Sequence, residues 1–356
     1  MSFVFFLLGL VTLIVGAELL VRGASRIAAA IGISPLVVGL TVVAFGTSAP
    51  ELAVSVKSAL SGNTNLAVGN VVGSNIFNTL FILGLSALIA PLLVHIQIIR
   101  QEIPILIGLC ILLFTLTLDQ VIALHESLLL IGLCIAYTVF LIVQSRNQPN
   151  SVQAEYSKES GIDARKPTRL PIQISFVLLG LGLLVLGSNW LVDSAIVIAQ
   201  SLGISDVVIG LTIVAAGTSM PEVATSIMAA LKGERDIAVG NVIGSNIFNI
   251  IACLGITGIL APQGIVVPSS VVHFDLWIML AASIACIPIF LTGREIARWE
   301  GGLFIAYYLA YVAYLILASK AHDALTAYSA VMLSFVIPLT VITLVVVLLR
   351  KAETKK

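Results

Sequence analysis

Two glutamates lie inside apolar stretches of this chain, and the same short motif leads to each. Glu51 ends the segment GLTVVAFGTSAPE (39–51), and Glu222 ends the segment GLTIVAAGTSMPE (210–222). A carboxylate at the centre of a bilayer costs roughly 2.5–3.5 kcal/mol on insertion scales, so it is rarely kept there without a use. The two acids are therefore the first candidates for functional residues, and cation binding is the chemistry that they favour.

A proline precedes each glutamate and predicts a break in the helix. Pro50 has no N–H for the carbonyl of Gly46, and Pro221 leaves the carbonyl of Gly217 free in the same way. Free carbonyls beside a carboxylate supply the oxygen ligands that a hard cation prefers. The sequence thus predicts a cation site at each break.

Each glutamate also belongs to a polar helical face. Thr47 and Ser48 lie four and three residues before Glu51, so the three side chains share one face. Small and polar residues continue this face in both segments: Thr41, Ala44, Ser55 and Ser58 in the first, and Thr212, Ala215, Ser219 and Ser226 in the second. A helix that was apolar all round would carry no such stripe, and we interpret it as the lining of a hydrated pathway.

A second motif, AVGNVVGSNIFN (67–78), recurs as AVGNVIGSNIFN (238–249). Its polar residues at four-residue spacing form one face in each copy: Asn70, Ser74 and Asn78, and Asn241, Ser245 and Asn249. Asn78 and Asn249 are the better candidates for a site because they lie deeper. The other asparagines of each motif are predicted to hydrogen-bond between helices.

The donors in these motifs are all oxygens, with no sulfur, no clustered histidine and no basic partner. Such ligation favours Ca²⁺ and Na⁺ over Zn²⁺ or Cu⁺. Two carboxylates are neutralised by one Ca²⁺ or by two Na⁺, so the two ions would occupy the site in turn, as an exchanger requires. The cysteines are predicted to act as small buried apolar residues: Cys110, Cys134, Cys253 and Cys286.

Membrane-spanning helices must position these motifs. The chain is 59% hydrophobic and 10% charged, and its mean hydropathy is +1.12, values that exclude a soluble fold. Eleven apolar stretches are long enough to span or nearly span a bilayer: 3–29, 35–60, 67–91, 103–119, 123–144, 172–201, 206–231, 238–261, 274–292, 302–319 and 325–349. Their length and lack of alternation favour helices over a β-barrel, so we predict an all-α polytopic membrane protein.

Both motifs recur at an offset of 171 residues, which indicates a duplicated half-protein. Five helices per half is an odd number, so the two repeats are predicted to be inverted, with one extra C-terminal helix. With the N-terminus outside and the C-terminus inside, 16 of the 18 basic residues fall inside and only Lys57 and Lys320 fall outside. The predicted organisation is a first repeat over 1–145 (motifs 39–78), a cytoplasmic linker over 146–171, a second repeat over 172–320 (motifs 210–249), and an extra transmembrane helix with a basic tail over 321–356.

GTSAPE with GNVVGSNIFN, and GTSMPE with GNVIGSNIFN, closely resemble the two α-repeats of the sodium/calcium exchanger family, part of the calcium/cation antiporter superfamily. The resemblance implies ten helices in two inverted halves, with an ion-binding core of helices two, three, seven and eight. It also implies alternating access, in which helices one and six slide past that core. The roles it implies are Glu51 and Glu222 as shared central ligands, Thr47 and Thr218 as carbonyl and hydroxyl donors, Ser48, Ser219, Ser74 and Ser245 with the carbonyls of Ala44 and Ala215 at flanking Na⁺ sites, and Asn78 and Asn249 closing the middle.

The function implied is electrogenic antiport of Na⁺ and Ca²⁺, with these two ions as substrates. The potassium-dependent branch of the superfamily uses an acid at the position of Asn249, so K⁺ co-transport is not expected. A buried glutamate can carry a proton, which leaves H⁺/Ca²⁺ exchange as the alternative and a cation channel as a remote one. No enzymatic activity, cofactor or nucleic-acid partner is expected. The protein is expected to lie in the lipid bilayer of a prokaryotic cytoplasmic membrane. The sequence leaves the oligomeric state open.

Overall fold

The computed structural model describes residues 2–31, 33–146, 170–201, 215–261, 263–319 and 322–353, and these are almost entirely helical. The helices are α1 (Ser2–Ile31), α2 (Pro35–Thr47), α3 (Ala49–Leu60), α4 (Thr64–Ile89), α5 (Ile98–Leu116), α6 (Leu124–Arg146), α7 (Leu170–Ser201), α8 (Ala215–Gly217), α9 (Met220–Leu231), α10 (Arg235–Leu260), α11 (Val271–Leu291), α12 (Arg298–Ser319) and α13 (324–353). Within these ranges, nine helices are long and apolar enough to cross a membrane, and α2 with α3 makes a tenth if the bent pair is one span. The prediction of an all-α polytopic membrane protein is confirmed.

The proline before each glutamate lies where a helix restarts. α2 and α3 meet at Ser48 with a bend of 40°. Pro50 occupies the first turn of α3, where a missing N–H breaks no intrahelical bond. Glu51 follows in the same first turn, as Glu222 does in α9, so each carboxylate lies at the positive end of a helix dipole.

Helices α1 and α7 run antiparallel and touch along glycines. A Cβ at Gly9 would lie 2.8 Å from the carbonyl oxygen of Gly187, and a Cβ at Gly180 would lie 2.8 Å from that of Gly16. Only glycine permits backbones to approach this closely. The offset of 171 residues exchanges the two contacts, so each half contributes the same surface, as expected of inverted repeats.

Two short antiparallel ladders also join the halves. β1 (Leu92–Leu93) pairs with β4 (Glu295–Ile296), and β2 (Val121–Ile122) pairs with β3 (Ile265–Val266). Each ladder takes one strand from each half. The sequence does not predict these strands, because two residues are too few to show a period.

The last helix is irregular beside Pro338. α13 contains a π-helical turn at Met332–Val336, which ends two residues before this proline. Three predicted features fall outside the described residues: most of the linker (147–169), the first part of segment seven with Thr212 (202–214), and the end of the basic tail (354–356).

Candidate functional site

Glu51 and Glu222 are completely buried, and a serine of the opposite half bonds to each. Ser219 Oγ donates to Glu51 Oε1 at 2.7 Å, and Ser48 Oγ donates to Glu222 Oε1 at 3.1 Å. Both helix breaks therefore contribute a carboxylate and a hydroxyl to one common centre.

The motif threonines cross between the halves in the same reciprocal way. Thr47 Oγ1 donates to Asn241 Oδ1 at 3.1 Å, and Thr218 Oγ1 donates to Asn70 Oδ1 at 3.3 Å. Asn70 in turn donates to the carbonyl of Glu51 at 3.1 Å. These asparagines thus hydrogen-bond between helices, as the sequence predicts.

The remaining motif serines lie around the carboxylates. Ser245 Oγ lies 3.3 Å from Glu222 Oε1 and 3.4 Å from the carbonyl oxygen of Ala44. On the other side, Ser74 Oγ lies 3.1 Å from the hydroxyl of Ser219. Hydroxyl oxygens therefore lie around both glutamates, and a carbonyl oxygen joins them on the side of Glu222.

Ala215 is the remaining residue predicted for the site. The structure describes its backbone, which begins α8. That helix is the counterpart of the last turn of α2, which ends at Thr47. The position of the Ala215 carbonyl in the site stays a prediction.

Four asparagines form a clasp between α4 and α10. Asn78 Nδ2 donates to Asn246 Oδ1 at 3.1 Å, and Asn249 Nδ2 donates to Asn75 Oδ1 at 3.0 Å. Thr79 completes the clasp by accepting from Asn246 Nδ2 at 2.8 Å. The prediction that the other asparagines of each motif hydrogen-bond between helices is confirmed for Asn75 and Asn246. The four-residue spacing does not show that their partners are Asn78 and Asn249, because Asn75 and Asn246 lie on another face of each helix.

Asn78 and Asn249 each lie in a π-helical turn, at Phe77–Ile82 and Asn249–Cys253. Such wide turns are uncommon in helices and frequently occur at functional sites, because they redirect side chains and leave backbone groups free. Their equivalent placement in both halves gives α4 and α10 the same irregularity at the same depth.

Three oxygens of this centre have no hydrogen-bond partner among the described residues: Glu51 Oε2, Glu222 Oε2 and Asn78 Oδ1. A buried acceptor without a partner costs free energy, and a buried carboxylate costs more. Ca²⁺ binds about six to eight oxygens, mostly from carboxylates, amides and carbonyls, and these unpaired atoms are of those types. The donor set therefore fits a hard cation.

A thiol also lies beside this centre, although the motifs themselves contain no cysteine. Cys253 Sγ lies 3.6 Å from Asn249 Oδ1 and 4.0 Å from the carbonyl oxygen of Ser48. Cys253 follows Asn249 by four residues, so the sequence already places both on one face of a helix. The equivalent residue of the first half is Ile82, and the thiol therefore lies beside only one of the two central asparagines.

The reciprocal site geometry agrees with a comparison of the whole chain with known families. The family model described as sodium/calcium exchanger protein matches residues 1–143 and 172–317. The chain belongs to the sodium/calcium exchanger family. The match breaks at the predicted linker and ends before α13, so the family core comprises the two repeats.

Relatives and solved structures of exchangers span nearly the same length. The chain is 40% identical over 313 residues to the putative antiporter CaxA of Alkalimonas amylolytica, covering 86% of this chain and 96% of the relative. It is 34% identical over 342 residues to the sodium/calcium exchanger MaX1 of Methanosarcina acetivorans, covering 87% and 97%. A structure of the sodium-calcium exchanger NCX_Mj, soaked with Na⁺ and Ca²⁺, matches with a TM-score of 0.74 at 30% identity over 88% of this chain and 97% of that chain. The chain is thus a multi-pass membrane antiporter of a family that exchanges cations for Ca²⁺.

Proposed function

We propose that this chain exchanges Na⁺ for Ca²⁺ across a prokaryotic cytoplasmic membrane by alternating access, electrogenically and independently of K⁺. One observation carries the proposal: Glu51 and Glu222 each accept from a serine of the opposite half and each keep one carboxylate oxygen unpaired. The free oxygens supply a central position that both halves share.

Charge explains why Ca²⁺ and Na⁺ would occupy this position in turn. Two carboxylates carry two negative charges, which one Ca²⁺ or two Na⁺ neutralise. Two negative charges inside a membrane are tolerated only when bound cations compensate them. Simultaneous occupancy by Ca²⁺ and two Na⁺ would leave excess positive charge in a buried site, so binding of one ion excludes the other.

The flanking oxygens support electrogenic exchange. Ser219 and Ser74 lie beside Glu51, and Ser245 lies beside Glu222 with the carbonyl of Ala44. Neutral oxygens of this kind suit Na⁺ without requiring another counter-charge. A third Na⁺ bound by such neutral ligands would make each cycle move one net charge.

The neutral side chain of Asn249 supports independence from K⁺. Its amide is held by Asn75 and by the thiol of Cys253, and it adds no third negative charge to the site. The site therefore lacks the acid that the potassium-dependent branch of the superfamily uses at this position.

Uptake of radiolabelled Ca²⁺ into proteoliposomes loaded with Na⁺ tests the proposed function. We expect uptake that requires the outward Na⁺ gradient and does not change with the external K⁺ concentration. It should also generate a membrane potential that a voltage-sensitive dye reports. Uptake driven by a pH gradient alone would instead establish H⁺/Ca²⁺ exchange. Ca²⁺ flux without any counter-ion would indicate a channel.

A further inference from the structure

Helices α1 and α7 pack unequally on the two halves. Both pack against α9, and among the described residues neither packs comparably against α3, the equivalent helix of the first half. Burial reflects this difference, because Thr225 on α9 is 0% exposed whereas its equivalent on α3, Val54, is 38% exposed. In the proposed topology α9 leads to the cytoplasmic face and α3 to the external face, so α1 and α7 close against the core on the cytoplasmic side.

An ion pair joins α1 to α9 on the closed side. The ammonium of Lys232 contacts the carboxylate of Glu18. Lys232 directly follows α9, the short helix whose first turn carries Glu222. The ion pair therefore links α1 to the element that holds one of the two central carboxylates.

A cleft of about 370 Å³ surrounds this ion pair, and its other charged walls are Arg22, Arg26 and Glu234. Burial raises the pKa of the Glu234 carboxyl, while Ser25 and Lys232 act in the opposite direction. The side chains of Lys232 and Glu18 remain 31% and 40% exposed. Water therefore reaches the pair, which must be able to open and close without a large cost.

The inverted repeat offers no such pair on the opposite side. The residue equivalent to Glu18 is Asn189, and the residue equivalent to Lys232 is Ser61. Neither is charged. The motifs proposed to bind the cation are nearly identical in the two halves, whereas this contact between the halves has an equivalent pair of uncharged residues on the opposite side.

We propose that the ion pair between Glu18 and Lys232 is a one-sided latch, which favours the arrangement with α1 and α7 against α9 over the arrangement with both against α3. The inference rests on the alternating access proposed above, in which these two helices move relative to the core. Two halves with the same ligands would give inward-facing and outward-facing states of similar free energy. A contact that forms on one side only makes the two states unequal.

The accessibility of Val54 measures the balance between the two states. In detergent, a Val54→Cys variant is treated with a soluble maleimide, and its modification is followed by peptide mass spectrometry, which separates it from the native cysteines. Adding Glu18→Gln or Lys232→Gln should lower the ratio of the two states roughly two- to fivefold, the effect of losing one exposed ion pair. If the two states are then equally populated, the modification rate falls by about 1.3- to 1.7-fold. The double variant Glu18→Lys with Lys232→Glu exchanges the two charges and should restore the modification rate. Arg26→Gln is the control, because Arg26 lies in the same cleft but outside the pair, and it should leave the modification rate unchanged.

A mirror variant tests the same latch from the opposite side. Asn189→Glu with Ser61→Lys would build the missing ion pair, and it should slow modification of the cysteine at position 54 by a similar factor. Unchanged or faster modification in both single variants would overturn the latch, as would a cysteine at position 54 that does not react at all. Because this measurement needs no ion flux, a shift in modification without Na⁺-driven Ca²⁺ uptake would support the latch and reject the proposed function.

Discussion

The hydroxyl of Ser219 donates to Glu51 Oε1 at 2.7 Å, although the two residues belong to opposite halves of the chain. The equivalent bond from Ser48 to Glu222 is 3.1 Å long. Each carboxylate is thus oriented by the half that does not carry it. A movement of one half relative to the other would disturb both carboxylates together, which couples ion binding to the arrangement of the helices.

Ser219→Ala should weaken Na⁺ more than Ca²⁺. The variant removes one oxygen from a proposed flanking Na⁺ site and one hydrogen bond to a charged group, so the half-saturating Na⁺ concentration should rise roughly tenfold. The half-saturating Ca²⁺ concentration should change little, because Ca²⁺ keeps both carboxylates. Flux titrations measure both quantities, with Ser283→Ala as the control, since the partners of this buried hydroxyl, the carbonyl of Met279 and the thiol of Cys110, lie outside the site. An equal change for the two ions would contradict a flanking Na⁺ site.

Asn246→Ala should lower both stability and Ca²⁺ affinity. Its side chain accepts from Asn78 and donates to Thr79, so the variant leaves buried polar groups without partners, at about 2 kcal/mol or more. Thermal unfolding in detergent measures the loss of stability, and Ca²⁺ titration measures the affinity. If the affinity is unchanged while the protein is destabilised, the clasp is structural and does not position the site.

Gly180→Ala should separate α1 from α7. The new Cβ would lie 2.7 Å from the backbone nitrogen of Leu20, which cannot move independently of its helix. We expect a loss of about 1–3 kcal/mol, seen as a lower unfolding temperature. Gly182→Ala is the matched control, because nothing lies within 4 Å of its Cβ and alanine favours the helix. Equal stability of the two variants would show that the contact between α1 and α7 is loose.

Asn249→Asp should change which ions accompany Ca²⁺. A third carboxylate in a buried site needs another positive charge, which K⁺ or H⁺ can supply. Uptake by the variant should therefore acquire a dependence on K⁺ or on pH that the parent lacks. An ion profile identical to that of the parent would place Asn249 outside the site.

The sequence predicts the parts of this site that repeat. Glu51 and Glu222, with the serines before them, are visible because an acid in an apolar segment is costly and because the segment occurs twice. Helical periodicity assigns residues to faces of their own helix. This information is sufficient to predict the polar faces that contain Glu51 and Glu222. The break at Pro50 follows from covalent chemistry alone.

Contacts between helices that do not repeat could not be predicted in this way. The ion pair between Glu18 and Lys232 joins residues far apart in sequence, and its equivalent positions are uncharged. The proximity of Cys253 to Ser48 depends on how α10 crosses the break between α2 and α3. Periodicity within one helix contains no information about such crossings, which are set by packing between helices.

The most direct test of the central claim is whether Na⁺ competes with Ca²⁺ for the carboxylates of Glu51 and Glu222. Ca²⁺ binding to the purified protein should be titrated at increasing Na⁺, in the parent and in Glu51→Gln and Glu222→Gln. A shared site predicts that Na⁺ raises the apparent Kd for Ca²⁺, and that either variant loses Ca²⁺ binding by roughly a hundredfold or more. Glu102→Gln is the control, since this buried acid lies outside the site and is paired with Gln97, Gln101 and Tyr137. An apparent Kd for Ca²⁺ that does not change with Na⁺, or Ca²⁺ binding retained in both glutamine variants, would contradict a site shared by the two ions.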